Sequence, residues 1–177
     1  MSTLKVNSII PVAGVPTGGG GGTTQIKQTV KTDTFTSTST SFVDITGLSV
    51  SITPTSTSSK IFIIVDLQVG SDNDSQCMFL LVRDSTSINL GDASGSRIQC
   101  FAEQGSGEDY HQHSCSTHFL DSPSTTSAVT YKVQMRVTGA FHAINRSDDD
   151  SNASSEARTT SSITVMEVSA WLLPCII

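Results

Sequence analysis

Residues 34–70 read TFTSTSTSFVDITGLSVSITPTSTSSKIFIIVDLQVG, and this stretch decides the fold class. Leu48, Val50 and Ile52 alternate with Ser49, Ser51 and Thr53, the period of a strand with one apolar face. Gly47 breaks the chain before that segment and Pro54 turns it afterwards. From Ile61 to Val69 the run is almost continuously apolar, which predicts a strand buried on both faces. Nothing here has a helical period. The chain is expected to be all-β.

Outward from this stretch the same signals recur. Strands are predicted over 25–31, 41–45, 48–53, 60–69, 76–84, 97–104, 110–120, 128–138, 141–146 and 161–173. Turn residues separate them at 72–74, 91–92, 105–107, 121–123 and along the polar 147–155 stretch. Short strands with short gaps predict an antiparallel, jelly-roll-like β-sandwich over residues 23–177. Phe35, Phe42, Phe62, Phe79, Phe101 and Phe119 are expected in its core. The apolar end, 170–177, holds the single tryptophan, Trp171, and predicts a closing strand or a subunit contact.

About three residues in ten are Ser or Thr, while charged residues make up 15% of the 177. Such a surface has little charge to hold its flat faces apart, a composition suited to packing against other subunits. The net charge is −6 and the basic residues are scattered singly, so no cationic stripe is available for nucleic acid. No 18-residue apolar run predicts a membrane-spanning helix, and no secretory leader pattern opens the chain. Cys77, Cys100, Cys115 and Cys175 match no zinc spacing and are expected as free thiols.

Residues 1–22 form a separate piece. Leu4, Val6, Ile9, Ile10, Val12 and Val15 are its apolar positions, Pro11 and Pro16 forbid a long helix, and Gly18–Gly22 is a tether. An apolar extended segment on a glycine tether is either a docking arm for another subunit or a disordered tail.

Sites for chemistry are sparse. His111, His113 and Cys115 alternate, so on a strand they share one face, with His118 on the other. That spacing is either a transition-metal ligand set or a polar strand face. Asp72 and Asp74, and the run 148–150, lack the Ca²⁺-loop pattern and are expected to be solvated loop tips. Glu103, Glu108 and Asp109 precede His111, but there is no GxSxG elbow, phosphate loop or HExxH, and no enzyme is expected. Tyr110 and Phe141 are the aromatics left to stack on a sugar.

Four segments together resemble the tail-fibre-like virion structural proteins of marine and freshwater tailed phages. They are LKVNSI (4–9), FVDITGLSVSITPTSTSSKIFIIVDLQVG (42–70), FLDSPSTTSAVTYKVQMRV (119–137) and SITVMEVSA (162–170). The resemblance implies a homotrimeric β-sandwich, assembled into the virion in the host cytoplasm and fastened to other virion proteins by the arm. It implies either a tail fibre or fibre-like appendage that meets a host surface glycan or protein, or a capsid decoration that cements the head. In such a trimer His111 and His113 of three copies would place six imidazoles around one ion on the three-fold axis. No other cofactor is expected.

Overall fold

The computed structural model describes residues 22–71, 75–105, 111–147 and 149–169. Among these run β1 (Thr23–Lys31), β2 (Phe35–Ser37), β3 (Val43–Ile52), β4 (Lys60–Ser71), β5 (Cys77–Arg83) and β6 (Thr86–Ile88). They are followed by β7 (Ala102–Gln104), β8 (Gln112–Asp121), β9 (Val129–Val137), β10 (His142–Ile144) and β11 (Ser161–Val168). Every pairing is antiparallel, in two sheets. The first is built on β4: β8 follows one edge, β11 and then β10 share the other, and β1 and β2 lie outside them. In the second, β3, β9 and β5 are neighbours, and β6 and β7 share the far edge of β5. Strands distant in sequence thus lie side by side, as in a jelly roll. The fold is an all-β, jelly-roll-like sandwich.

Period-two alternation fills the space between the sheets. Leu48, Val50 and Ile52 of β3, and Val129, Tyr131, Val133, Met135 and Val137 of β9, are buried from one side. Ile61, Ile63, Val65, Leu67 and Val69 of β4, with Ile163 and Val165 of β11, meet them from the other. Each such aliphatic chain contributes roughly 1.5–3 kcal/mol by leaving water.

Several expectations are corrected. Segments 41–45 and 48–53 are one strand, β3, because Gly47 (φ 81°) forms a bulge rather than a turn, and the ladder to β9 shifts register there. Only Ala102–Gln104 of the expected 97–104 strand is extended in a ladder, and β2 and β6, three residues each, carried too little pattern to be seen. The doubly buried strand is β5, not β4: Cys77 to Val82 are all buried, whereas Ile64 of β4 is exposed. Phe62 likewise leaves the core for the outer face, where its ring lies 6.2 Å from that of His118. Phe79 is buried, Phe35, Phe101 and Phe119 pack against the core edge, and Phe42 is half-buried. Trp171 and the end of the expected last strand lie outside the described residues.

Polar clasps close the sandwich where the apolar rows stop. At one end Glu167 is fully buried and accepts hydrogen bonds from Gln25 Nε2 (2.6 Å), Thr55 N (2.7 Å) and Thr55 Oγ1 (2.7 Å). Burial pushes its carboxyl up, but these donors outweigh burial and hold it at about 2, below the ordinary 4.5. The unfolded chain therefore takes up this proton first on acidification. The stabilisation is complete above about pH 5.5 and drains away as pH falls from about 5 towards 2. Glu167→Gln is expected to flatten that acid limb, read as unfolding midpoint against pH; an unchanged limb would remove Glu167 from the account.

Candidate assembly interface

In an antiparallel sheet, directly paired residues lie on the same face, so register alone shows which side chains gather. Leu120 of β8 pairs with Phe62 of β4, Phe62 with Met166 of β11, and Met166 with Ile26 of β1. Four apolar side chains from four strands therefore form one row across the outer face of the first sheet. At strand spacings of about 4.8 Å the row is about 14 Å long. Ile26 is 61% exposed and Leu120 52%, while Phe62 and Met166 are half-buried by their neighbours. Ile64 (37% exposed) borders the row beside Phe62, Val168 lies two residues beyond Met166, and Val30 (49%) extends the face along β1.

Hydroxyl and amide groups surround this stripe. Thr164, Ser162, Ser114 and Ser116 occupy outward positions, with Gln28 Nε2 on Thr164 Oγ1 (2.8 Å) and Gln68 Nε2 on Ser114 Oγ (2.9 Å). The charged outward positions on these four strands are Lys60 and Asp66, at opposite parts of β4. Lys60 Nζ donates to Ser122 Oγ at 2.6 Å.

The face was partly visible in the sequence. The continuous run from Ile61 to Val69 has more apolar residues than a one-sided strand uses, and the surplus, Phe62 and Ile64, points outward. The companions on β8, β11 and β1 escaped notice because cross-strand register is not written in any single strand.

The histidines are dispersed. His113 points with Cys115 to the inner side of β8, paired in register with Val69, and its Nε2 is buried without a hydrogen-bond partner. His111 precedes the strand and is exposed, and His118 is on the outer face against Phe62. Among the described residues no three His, Cys, Asp or Glu side chains converge as metal ligands. Glu103 is exposed on β7, and Glu108, Asp109 and Tyr110 lie outside the described residues.

Asp150 is engaged by Arg158 Nη2 at 2.5 Å and Arg146 Nη1 at 3.8 Å, so this carboxylate is paired within the chain rather than standing alone at a loop tip. Asp72, Asp74 and Asp148 lie outside the described residues. Arg146 also stacks 5.0 Å over the Phe141 ring, covering one face of that aromatic. Cys77, Cys100 and Cys115 are free thiols, and burial pushes the Cys115 thiol up to about 11 and raises that of Cys77 as well. Cys175 lies outside the described residues.

The arm positions Leu4, Val6, Ile9, Ile10, Val12 and Val15 lie outside the described residues too, but their point of attachment does not. Gly22 N donates to Ser169 Oγ (3.0 Å), and Ser169 N donates to Gly22 O (3.1 Å). Gly22 is thereby tied to the end of β11, next to Val168.

In sequence, no family model and no curated protein matches the chain. Among solved structures it is similar to an Eiger TNF from S. frugiperda, at 11% identity and a TM-score of 0.36, covering 86% of this chain and 98% of that one. It is also similar to a chain of infectious bursal disease virus, Gx strain, at 12% identity and a TM-score of 0.37, covering 82% of this chain and 41% of the other. The VP2 subviral particle of that virus gives 11% identity and a TM-score of 0.35, over 82% and 40%. The chain thus spans about two fifths of the viral chains it resembles.

Proposed function

We propose that this chain is a phage virion structural protein: a homotrimeric tail fibre or fibre-like appendage, fastened by residues 1–22 and contributing to host adsorption. Its work is adhesive and mechanical rather than catalytic. The observation that carries the proposal is the fixed graft of the tether. Reciprocal hydrogen bonds between Gly22 and Ser169 hold the start of the sandwich against its last strand, so a load on the arm passes directly into the sheet. The quoted sequence segments supply the phage context. A sandwich with a hydroxyl-rich, weakly charged surface suits repeated copies packed together, and several weak contacts per trimer give usable avidity for a host glycan or protein. The partners are further copies of itself, other virion proteins through the arm, and that host surface. Nucleic acid and membrane insertion have no part in this function.

Deletion of residues 1–22 tests the anchoring. The truncated chain is expected to keep the sandwich's circular dichroism and oligomeric mass while disappearing from purified particles. Full occupancy of virions by the truncated chain would end the arm hypothesis. Complementing a particle that lacks the wild-type protein reads both outcomes at once.

A further inference from the structure

We infer that the outer face of the β8–β4–β11–β1 sheet, centred on the row Leu120, Phe62, Met166 and Ile26, is the surface through which copies of this chain pack on one another. The inference rests on the homotrimer proposed above and specifies where its contact lies.

Three observations favour a second copy as the occupant. The first is charge. The chain carries −6 overall, so two copies repel over most of their surfaces. The outward positions of these four strands hold one lysine, Lys60, one aspartate, Asp66, and one histidine, His118, and are therefore nearly neutral. This is a face on which copies can approach without that penalty.

The second observation is shape. The row crosses four strands in register without a break, so it presents the flat, pleated surface of a sheet rather than a groove for a peptide. Three such faces can converge on one three-fold axis, each meeting both of its neighbours through different parts of the same sheet. Around the stripe, Ser114, Ser116, Ser162 and Thr164 can hydrogen-bond across a contact without requiring a charged partner.

The third is continuity with the core. On β4 the apolar run occupies both faces: Ile61, Ile63, Val65 and Leu67 are covered within the chain, whereas Ile64 remains open and Phe62 is covered in part. Ile64 and Phe62 thus leave apolar area on the second face that a further copy would cover.

The test is the mass of the purified full chain in solution, compared with Ile26→Glu/Leu120→Glu. Both positions are more than half exposed in the single chain, so the added charges leave the fold intact. The wild type is expected at three chain masses, and the double variant at one with unchanged circular dichroism. Leu90→Glu/Ile98→Glu, at apolar positions 42% and 43% exposed but off this face, is the control and is expected to remain trimeric.

A trimeric Ile26→Glu/Leu120→Glu would overturn the assignment of the face while leaving the homotrimer standing. A monomeric wild type would overturn the homotrimer and the face together. Should the double variant unfold, peroxide oxidation of Met166 in the wild type decides. Slower oxidation at trimer-forming concentration than on dilution is expected; equal rates would contradict the inference.

Discussion

Asp121→Ala is expected to lower the free energy of unfolding by about 3–5 kcal/mol, the usual cost of stripping one partner from a buried ion pair. Asp121 ends β8 in the first sheet, while its partners come from the second. Arg83 Nη1 of β5 lies 2.9 Å from both carboxylate oxygens, and the Tyr131 hydroxyl of β9 donates to Oδ2 at 2.7 Å. The carboxylate therefore joins the two sheets at the edge where β8 has no second strand among the described residues. Tyr131 is fully buried, and burial with the neighbouring Asp121 pushes its phenol up, so it stays a donor across the accessible pH range.

Alanine at 121 takes the carboxylate from that hydroxyl and from a partly buried guanidinium, which keeps only a long contact of 3.5 Å to Ser122 O among the bonds described. Tyr131→Phe removes one hydrogen bond and leaves the ion pair, so its cost is expected to be about 1 kcal/mol. Urea unfolding at fixed protein concentration measures both, which matters because assembly adds to apparent stability. Equal losses for the two variants would show that the ion pair contributes nothing beyond the tyrosine bond.

Asn145→Ala is the second large loss expected, at about 3 kcal/mol or more. Asn145 is fully buried at φ 66°, in the left-handed region that asparagine tolerates better than most residues. Its Nδ2 donates to Lys31 O and Asp33 O, both at 2.9 Å, and its Oδ1 accepts from Ser161 Oγ at 2.7 Å. Its own N–H donates to Gln68 O at 2.9 Å. The side chain thus joins the exit of β1 to the start of β11, and the backbone N–H adds a link to β4.

Alanine would take a donor from two carbonyls and an acceptor from the Ser161 hydroxyl, which keeps its bond from Gln68 N, at about 1–3 kcal/mol for each group left buried and unsatisfied, and would add backbone strain of about 1–2 kcal/mol. Glycine relieves the strain but restores no hydrogen bond, so Asn145→Gly is expected to recover only the smaller part. Thermal unfolding of the two variants side by side separates the contributions. If glycine were as stable as the wild type, the side-chain network would be irrelevant and only the backbone angle would matter.

How far the sequence foretold this fold depends on the distance over which each signal acts. The alternation in 48–53 and 128–138 lies within single strands, and β3 and β9 follow it closely. Gly47 was legible as a special position but not as a bulge, since a bulge is defined by the partner strand, here β9. Phe62 shows the same limit from the other side. Its run was correctly extended, but which face the ring takes depends on the placement of β8 and β11.

Glu167, Asp121 and Asn145 went unnoticed because each is one polar residue near a strand end. Their importance comes from partners 10 to 142 residues away. The apolar row is the extreme case, four residues from four strands brought together by register alone. The histidine cluster departs from expectation at one position: alternation places His113 with Cys115 on one face and His118 on the other, as expected, yet the onset of β8 at Gln112 leaves His111 outside the strand.

The most direct test of the central claim, that this chain is a structural part of a phage tail, is to label the protein on intact particles and image where the label sits. Label is expected to be confined to the tail and to be lost when residues 1–22 are deleted. Label spread over the head would make the chain a capsid decoration, and its absence from purified particles would contradict the virion role altogether.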